Sequence, residues 1–198
     1  MRSFTITEND AGQRLDKFLS KAVKKLPPSL LYKYIRTKRI KVGGKRCAIS
    51  TRLCEGDRVD LYINDEFFED KSGAYPFLSA PADLDILYED ENILLLDKKP
   101  GLLVHEDDRE KNDTLVARML HYLYQKGEYN PASENSFVPS LCNRIDRNTG
   151  GIVIAAKNAA TLRVLNQKIK DRELQKRYLC IVNGVPPKKE DTLTAYLE

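Results

Sequence analysis

Residues 141–158 read LCNRIDRNTGGIVIAAKN. A carboxylate, Asp146, stands in a turn-forming stretch between Arg144 and Arg147, just ahead of Gly150, Gly151 and the apolar run GIVIAAK at 151–157. That run has the composition of a strand, and a helix is expected from Ala159 to about Lys170. Two glycines leave backbone and ligand free to approach closely. A short polar loop at a strand edge is a common mount for a reactive residue. Taken alone, the spacing equally allows Asp146 to pair with Arg144 or to cap Thr149.

Upstream, DILYED and NILLLDKK are apolar runs bounded by acidic turns and suggest paired strands. Thr114 to Gln125 carries Leu115, Ala117, Met119, Leu120, Leu123 and Tyr124 at helical spacing. A loop is expected at 127–139, and downstream KRYLCIV is expected to form a further strand. Helices and strands mix without a strict βαβ alternation, which predicts an α+β fold with a mixed or antiparallel sheet.

The front of the chain has a different character. Residues 1–63 hold 15 Lys and Arg against 6 Asp and Glu, a net +9, which leaves −5 for residues 64–198 of a chain whose total is +4. Such a split points to a basic unit for a polyanion joined to a part with another task. From Arg14 to Lys25, Leu15, Phe18, Leu19, Ala22 and Val23 form one helical face, and Lys17, Lys21, Lys24 and Lys25 the other. Pro27 and Pro28 stop that helix, and Ser29 is placed to cap a second one striped by Leu30, Leu31, Tyr34 and Ile35. IKVGGKRCAI then reads as a hairpin around Gly43-Gly44, and RVDLYI at 58–63 as a closing strand. Residues 64–82 have no periodicity and read as a linker. The expected layout is 1–63, a basic helix-helix-hairpin domain; 64–82, the linker; and 83–198, a second domain.

No apolar run approaches the roughly 18 residues of a membrane span. The start MRSFTITENDAGQR lacks a signal-peptide layout, so a cytoplasmic protein is expected. Cys47, Cys54, Cys142 and Cys180 form no C-x-x-C pair, and with His105 and His121 they give no zinc-ligand spacing, so no metal is expected. Four reduced thiols is the reading, and no His near Cys142 could activate it as a nucleophile. His105 is read as structural and His121 as a solvent-exposed helix residue.

RLDKFLS, the basic YKYIRTKRIKVGGK and EGDRV together resemble the RNA-binding domain of the ribosomal protein S-four type. In that family the second helix and adjoining loop face RNA, which implies backbone contact by Lys33, Arg36, Lys38, Arg39 and Lys45. Clustered cations of this kind release counterions and carry little sequence information. NRIDRNTGGIVIAAKN resembles the H-R-L-D-R-x-T-S-G-L-L-V-L-A-K signature of the RluA-type pseudouridine synthases. ILYEDENILLLDKKPGLLVH at 86–105 and QKRYLCIVNG at 175–184 match that family's opening strand pair and its K-x-Y-x-A-L-V-x-G motif, in order.

The resemblance implies a uridine-isomerising catalytic domain, with Asp146 catalytic, Arg144 and Arg147 its basic neighbours, and Tyr178 packing against the target base. Asn143 and Gly150 depart from the signature, standing where the family often has His and Ser. The family continues through more strands and a G-R-T-H-Q-I-R-like word that does not occur before the final LTAYLE, so residues 83–198 correspond to the front portion of that domain. Isomerisation breaks the ribose–nitrogen bond, turns the uracil and rejoins the sugar at carbon 5, adding nothing, so no cofactor is implied. A carboxylate suits this by attacking the sugar, stabilising an oxocarbenium-like centre or taking the ribose proton, and an adjacent arginine favours its ionised form. RNA is the expected partner, ribosomal ahead of transfer RNA, and the protein is expected to be a monomer. The other class of function is an RNA-binding protein without catalysis, which would tolerate Asp146→Asn and depend on Arg36, Lys38 and Arg39. A basic module for another polyanion ranks last.

Overall fold

In the computed structural model the described residues are 1–68, 75–108 and 110–195. They form two four-stranded antiparallel sheets, each with its own hydrophobic cluster.

The first sheet has the order β1-β4-β2-β3, with β1 at Arg2–Thr5, β2 at Ile40–Val42, β3 at Lys45–Arg46 and β4 at Arg58–Leu61. Helix α1, Leu15–Ala22, and helix α2, Pro28–Arg36, cover it. Their apolar stripes supply Leu15, Phe18, Leu19, Leu31 and Ile35, which close on Ile40, Val59 and Leu61. Each such side chain contributes about 1.5–3 kcal/mol by leaving water. The hairpin turn falls at Gly43-Gly44, both at positive φ (56° and 73°), as a tight two-residue turn requires. Ser29 is not the cap of α2. Pro27 takes the N-cap position without a side-chain hydrogen bond, and Pro28 opens the helix, where its missing N–H costs nothing.

The second sheet has the order β5-β6-β8-β7: β5 at Ile86–Glu89, β6 at Ile93–Lys98, β7 at Ser140–Leu141 and β8 at Gly151–Ala156. Helix α3, Leu115–Gln125, packs Leu115, Met119 and Leu123 against Leu94, Leu96, Val153 and Ala155. Thr114 caps it, its side chain accepting from the Ala117 amide at 3.2 Å. Helix α4, Ala159–Lys170, follows β8. The KRYLCIV strand is not formed: residues 171–195 have no helix or strand, and Leu179 and Ile181 are fully exposed. Strand propensity is realised only where a neighbour takes the ladder hydrogen bonds, and no described residue does so for this run.

The expected linker is anchored at both ends. Phe68 is buried in the first cluster, while Phe77 packs on the second and its ring lies 6.2 Å from that of Tyr129. Its middle, 69–74, lies outside the described residues. His121 is not simply exposed: its Nδ1 lies 2.6 Å from the Ala80 carbonyl and its Nε2 3.0 Å from Gln125, tying the end of this segment to α3.

A charged cluster pins α3 to one end of the sheet. Glu89 accepts from Lys126 (2.7 Å), Lys157 (3.0 Å) and Tyr122 (2.7 Å), and Glu128 pairs with both lysines. Burial raises the Glu89 carboxyl, but its hydrogen bonds from Lys126, Tyr122 and Lys157 outweigh that and bring it down to about 2. The unfolded value is near 4.5. A depressed carboxyl stabilises the fold above the unfolded value, and that contribution is lost as pH falls from about 4.5 towards 2. With the side chain only 16% exposed, it is on the order of 3 kcal/mol. Urea midpoints taken at pH 6, 4 and 2 should fall most steeply in the last interval, and Glu89→Gln should flatten that fall.

Candidate active site

The end of the second sheet opposite that charged cluster carries the loop with Asp146. Along β6 the burial alternates, so Leu94, Leu96 and then Lys98 face the interior. Lys98 is 1% exposed, where an apolar residue would be expected. Its ammonium donates to three carbonyls: Leu102 at 2.8 Å, Lys99 at 3.0 Å and Arg147 at 3.0 Å. Three donors meet three acceptors, so the buried charge is fully hydrogen-bonded. Burial still lowers the Lys98 pKa, with the carboxylate of Asp146 acting the other way.

The loop is held from the Arg147 side as well. The Gly101 amide donates to the Arg147 carbonyl at 2.8 Å, and Arg147 Nε returns a bond to the Gly101 carbonyl at 3.0 Å. Gly150 lies so close to the 98–100 segment that a Cβ there would stand 3.1 Å from Pro100 Cδ and 3.3 Å from the Lys98 carbonyl. The absent side chain at 150 thus serves packing within the chain. On the other flank, Asn143 accepts from the Ile154 amide at 2.8 Å, stitching the loop to β8.

Within this frame Asp146 is exposed, and among the described residues its carboxylate makes no hydrogen bond or ion pair. Thr149 donates to its backbone carbonyl at 3.1 Å, so the side chain caps nothing. Neither arginine pairs with it. Arg147 lines a cavity of about 350 Å³ with Lys99, Gly101, Glu110 and Arg118, and Asp146 is not among its lining residues. Arg144 lies near His105, whose pKa is lowered first by burial and then by the charge of Arg144. Adjacency in sequence therefore does not make the two arginines contacts of the carboxylate: their side chains leave the backbone in other directions. Tyr178 is 62% exposed, on the segment without strand pairing. The Cys142 thiol is half-buried and burial pushes it up to about 11, far from a thiolate at neutral pH. All four cysteines are free.

On the first unit, Lys33 and Arg36 of α2 line a groove of about 410 Å³ with Tyr32, Arg46 and Ile49. Arg46, on β3, was not anticipated; the pairing of β3 with β2 opposite α2 brings it there. Lys38 and Arg39 follow at the helix end. Lys38 has φ 63°, a left-handed closure where glycine is usual, and the Arg39 guanidinium lies 5.5 Å from the Tyr34 ring centre. Lys45 is exposed on β3 outside the groove lining. Among the described residues none of these six cations is paired with a carboxylate.

The described residues thus present a basic groove on one unit and, on a braced loop of the other, a carboxylate without a hydrogen bond or ion pair. Residues 92–198 match the family model described as RNA pseudouridylate synthase, and residues 13–59 match the S4 domain. The chain belongs to the RNA pseudouridylate synthase family and carries an N-terminal S4 domain. It is 37% identical to an uncharacterized RNA pseudouridine synthase of Mycoplasma capricolum, over 90% of this chain and 57% of that protein. It is 32% identical to the ribosomal large subunit pseudouridine synthase C of Escherichia coli K12, over 90% of this chain and 53% of that protein. The chain thus spans about half the length of the curated relatives it matches.

Proposed function

We propose that the protein isomerises uridine to pseudouridine in RNA, with Asp146 as the catalytic residue and the S4 unit as the part that holds the RNA. The observation carrying this is the state of Asp146: an exposed carboxylate, without a hydrogen bond or ion pair among the described residues, on a loop braced by Lys98, Gly101 and Asn143. Charged side chains with a structural task find partners, whereas a group that must meet a substrate is left open to it on a rigid mount. In the reaction the carboxylate attacks the sugar or draws off a ribose proton as the ribose–nitrogen bond breaks, the uracil turns in place, carbon 5 is joined to the sugar, and carbon 5 gives up its proton while the freed ring nitrogen takes one up. The uridine must first leave its stack, at a cost of a few kcal/mol. An aromatic platform returns about 1–3 kcal/mol per base, and the exposed ring of Tyr178 is available for that role. Arg144 and Arg147 flank the loop as exposed cations suited to the phosphates on either side of the target.

Ribosomal RNA is the favoured substrate, since relatives are named for the ribosomal large subunit. The protein is assigned to the cytoplasm as a monomer; no helix among the described residues is long and apolar enough to cross a membrane. Tritium release from unmodified ribosomal RNA labelled at carbon 5 of uridine tests the activity directly. Release supports it; salt-sensitive RNA binding without release would make the chain an RNA-binding protein only.

The basic groove makes a second measurable statement. Arg36→Ala and Arg46→Ala should each lower the slope of log affinity against log salt by about one, because each removes about one phosphate contact. Titrating an RNA hairpin at several salt concentrations checks this, and Lys45→Ala, outside the groove, should change the slope less.

A further inference from the structure

The two hydrophobic clusters share no residue, yet the two units are joined by a compact set of hydrogen bonds centred on one buried carboxylate. Asp10, in the turn after β1, is 0% exposed. Its Oδ1 accepts from Ser136 Oγ at 2.5 Å, and its Oδ2 from Asn135 Nδ2 at 2.7 Å and Thr7 Oγ1 at 3.0 Å. Around it, Asn135 also donates to the Thr5 carbonyl at 2.8 Å, and Gln13 donates to Ser136 Oγ at 3.1 Å. Asn9 donates to Glu134 at 3.1 Å and accepts from the Ala159 amide at 3.0 Å, supplying a partner for a first-turn amide of α4. Arg163 of α4 reaches the Ala11 carbonyl at 3.2 Å.

We propose that Asp10 is the hub of a latch that locks the S4 unit to the second unit at one angle, fixing how bound RNA is presented to Asp146. A polar contact between units ordinarily leaves them free to move relative to one another. A carboxylate withdrawn wholly from water is different. Opening the contact would either hydrate it or strip it of the donors from Asn135 and Ser136, so both units are held while those bonds last. Latch and loop lie at opposite ends of β8, joined by the strand itself. Asn135 and Ser136 lead into β7, Ala159 opens α4 past the two residues that follow β8, and the paired strands β7 and β8 flank the Asp146 loop in sequence. Asp10 is accordingly a positioning residue that selects which RNA shape can bring a uridine to the carboxylate.

The consequence for catalysis rests on the function proposed above, but the latch itself is read without any activity. Nitroxide labels on exposed Cys54 and on Gln125→Cys, with the other three cysteines replaced by Ser, report the distance between the units in the full chain. The expected result is one narrow distance distribution that broadens severalfold in the Asn135→Ala/Ser136→Ala double variant. That variant leaves the bond from Thr7 to Asp10 in place, so the first unit keeps its own turn; Asp10→Ala is the complementary variant from the other side. A broad distribution in the unaltered chain, or a narrow one in both, overturns the latch. On structured ribosomal RNA the double variant should lose at least tenfold in kcat/KM with RNA affinity held within twofold. If no chain releases tritium, the enzymatic reading fails while the distances still decide the latch.

Discussion

Replacing Asp146 by Asn should abolish tritium release, by roughly 10³-fold or more, while leaving the fold untouched. Both halves of this expectation come from the same geometry. The carboxylate makes no internal hydrogen bond or ion pair among the described residues, so an isosteric amide removes only the attraction of its charge for the buried Lys98 ammonium. Its thermal or urea midpoint should shift by no more than the equivalent of about 0.5 kcal/mol, as for an ordinary surface exchange. An amide can neither attack the sugar nor accept the ribose proton, so the chemistry stops whichever course it takes. The pairing of results is the discriminating point. A stable, RNA-binding, inactive variant assigns Asp146 to the reaction. An active one removes it from the reaction, and a destabilised one would mean that the carboxylate has a structural partner after all.

Lys98→Met should act in the opposite way, on the frame first and on the chemistry through it. Methionine matches the volume of the stem but leaves the carbonyls of Lys99, Leu102 and Arg147 without their shared donor. Relief from burying an ammonium offsets part of this, and the net cost is expected at about 3 kcal/mol. The turnover rate should fall by roughly tenfold or more even at temperatures where the variant remains folded, because the Arg147 carbonyl is the anchor next to Asp146. Lys98→Arg should not rescue it: a planar fork of donors does not fit three converging carbonyls that a tetrahedral ammonium satisfies. Unfolding in urea and tritium release by the folded fraction separate the two effects. A variant as stable as the native chain would show that the three bonds are replaced by water and carry little.

Most of the elements were legible because they rest on local patterns. Apolar spacing located α1, α2 and α3, and Gly43-Gly44 located the hairpin, since both residues adopt positive φ. Strand β1 escaped notice because four residues with weak alternation carry no periodic signal, and β7, with two, carries still less. KRYLCIV misled for the reverse reason: its propensity is strong, but a strand is a property of two chains of hydrogen bonds and not of one.

At the site, Asp146 could be singled out from its turn context and the signature around it. The directions of Arg144 and Arg147 could not, because a loop has no fixed side-chain period. Lys98 looked like the polar end of an apolar run, and only the alternation of β6 shows that it points inward. Asp10 was invisible for a topological reason. The donors that make it important lie 125 and 126 residues further along, and ENDAG by itself is an ordinary turn.

The separation of the two apolar clusters bears on how the molecule should come apart. Among the described residues the two clusters share no member, so much of the energetic coupling between the halves falls to the polar contacts between them. A cooperative all-or-none transition is a property of a single core. Here each core can melt with its own midpoint, and a substitution in Phe18 should shift one transition while a substitution in Met119 shifts the other. The stability of this chain is then two quantities plus a small interaction, and a mutational effect has meaning only when assigned to the half in which it was made.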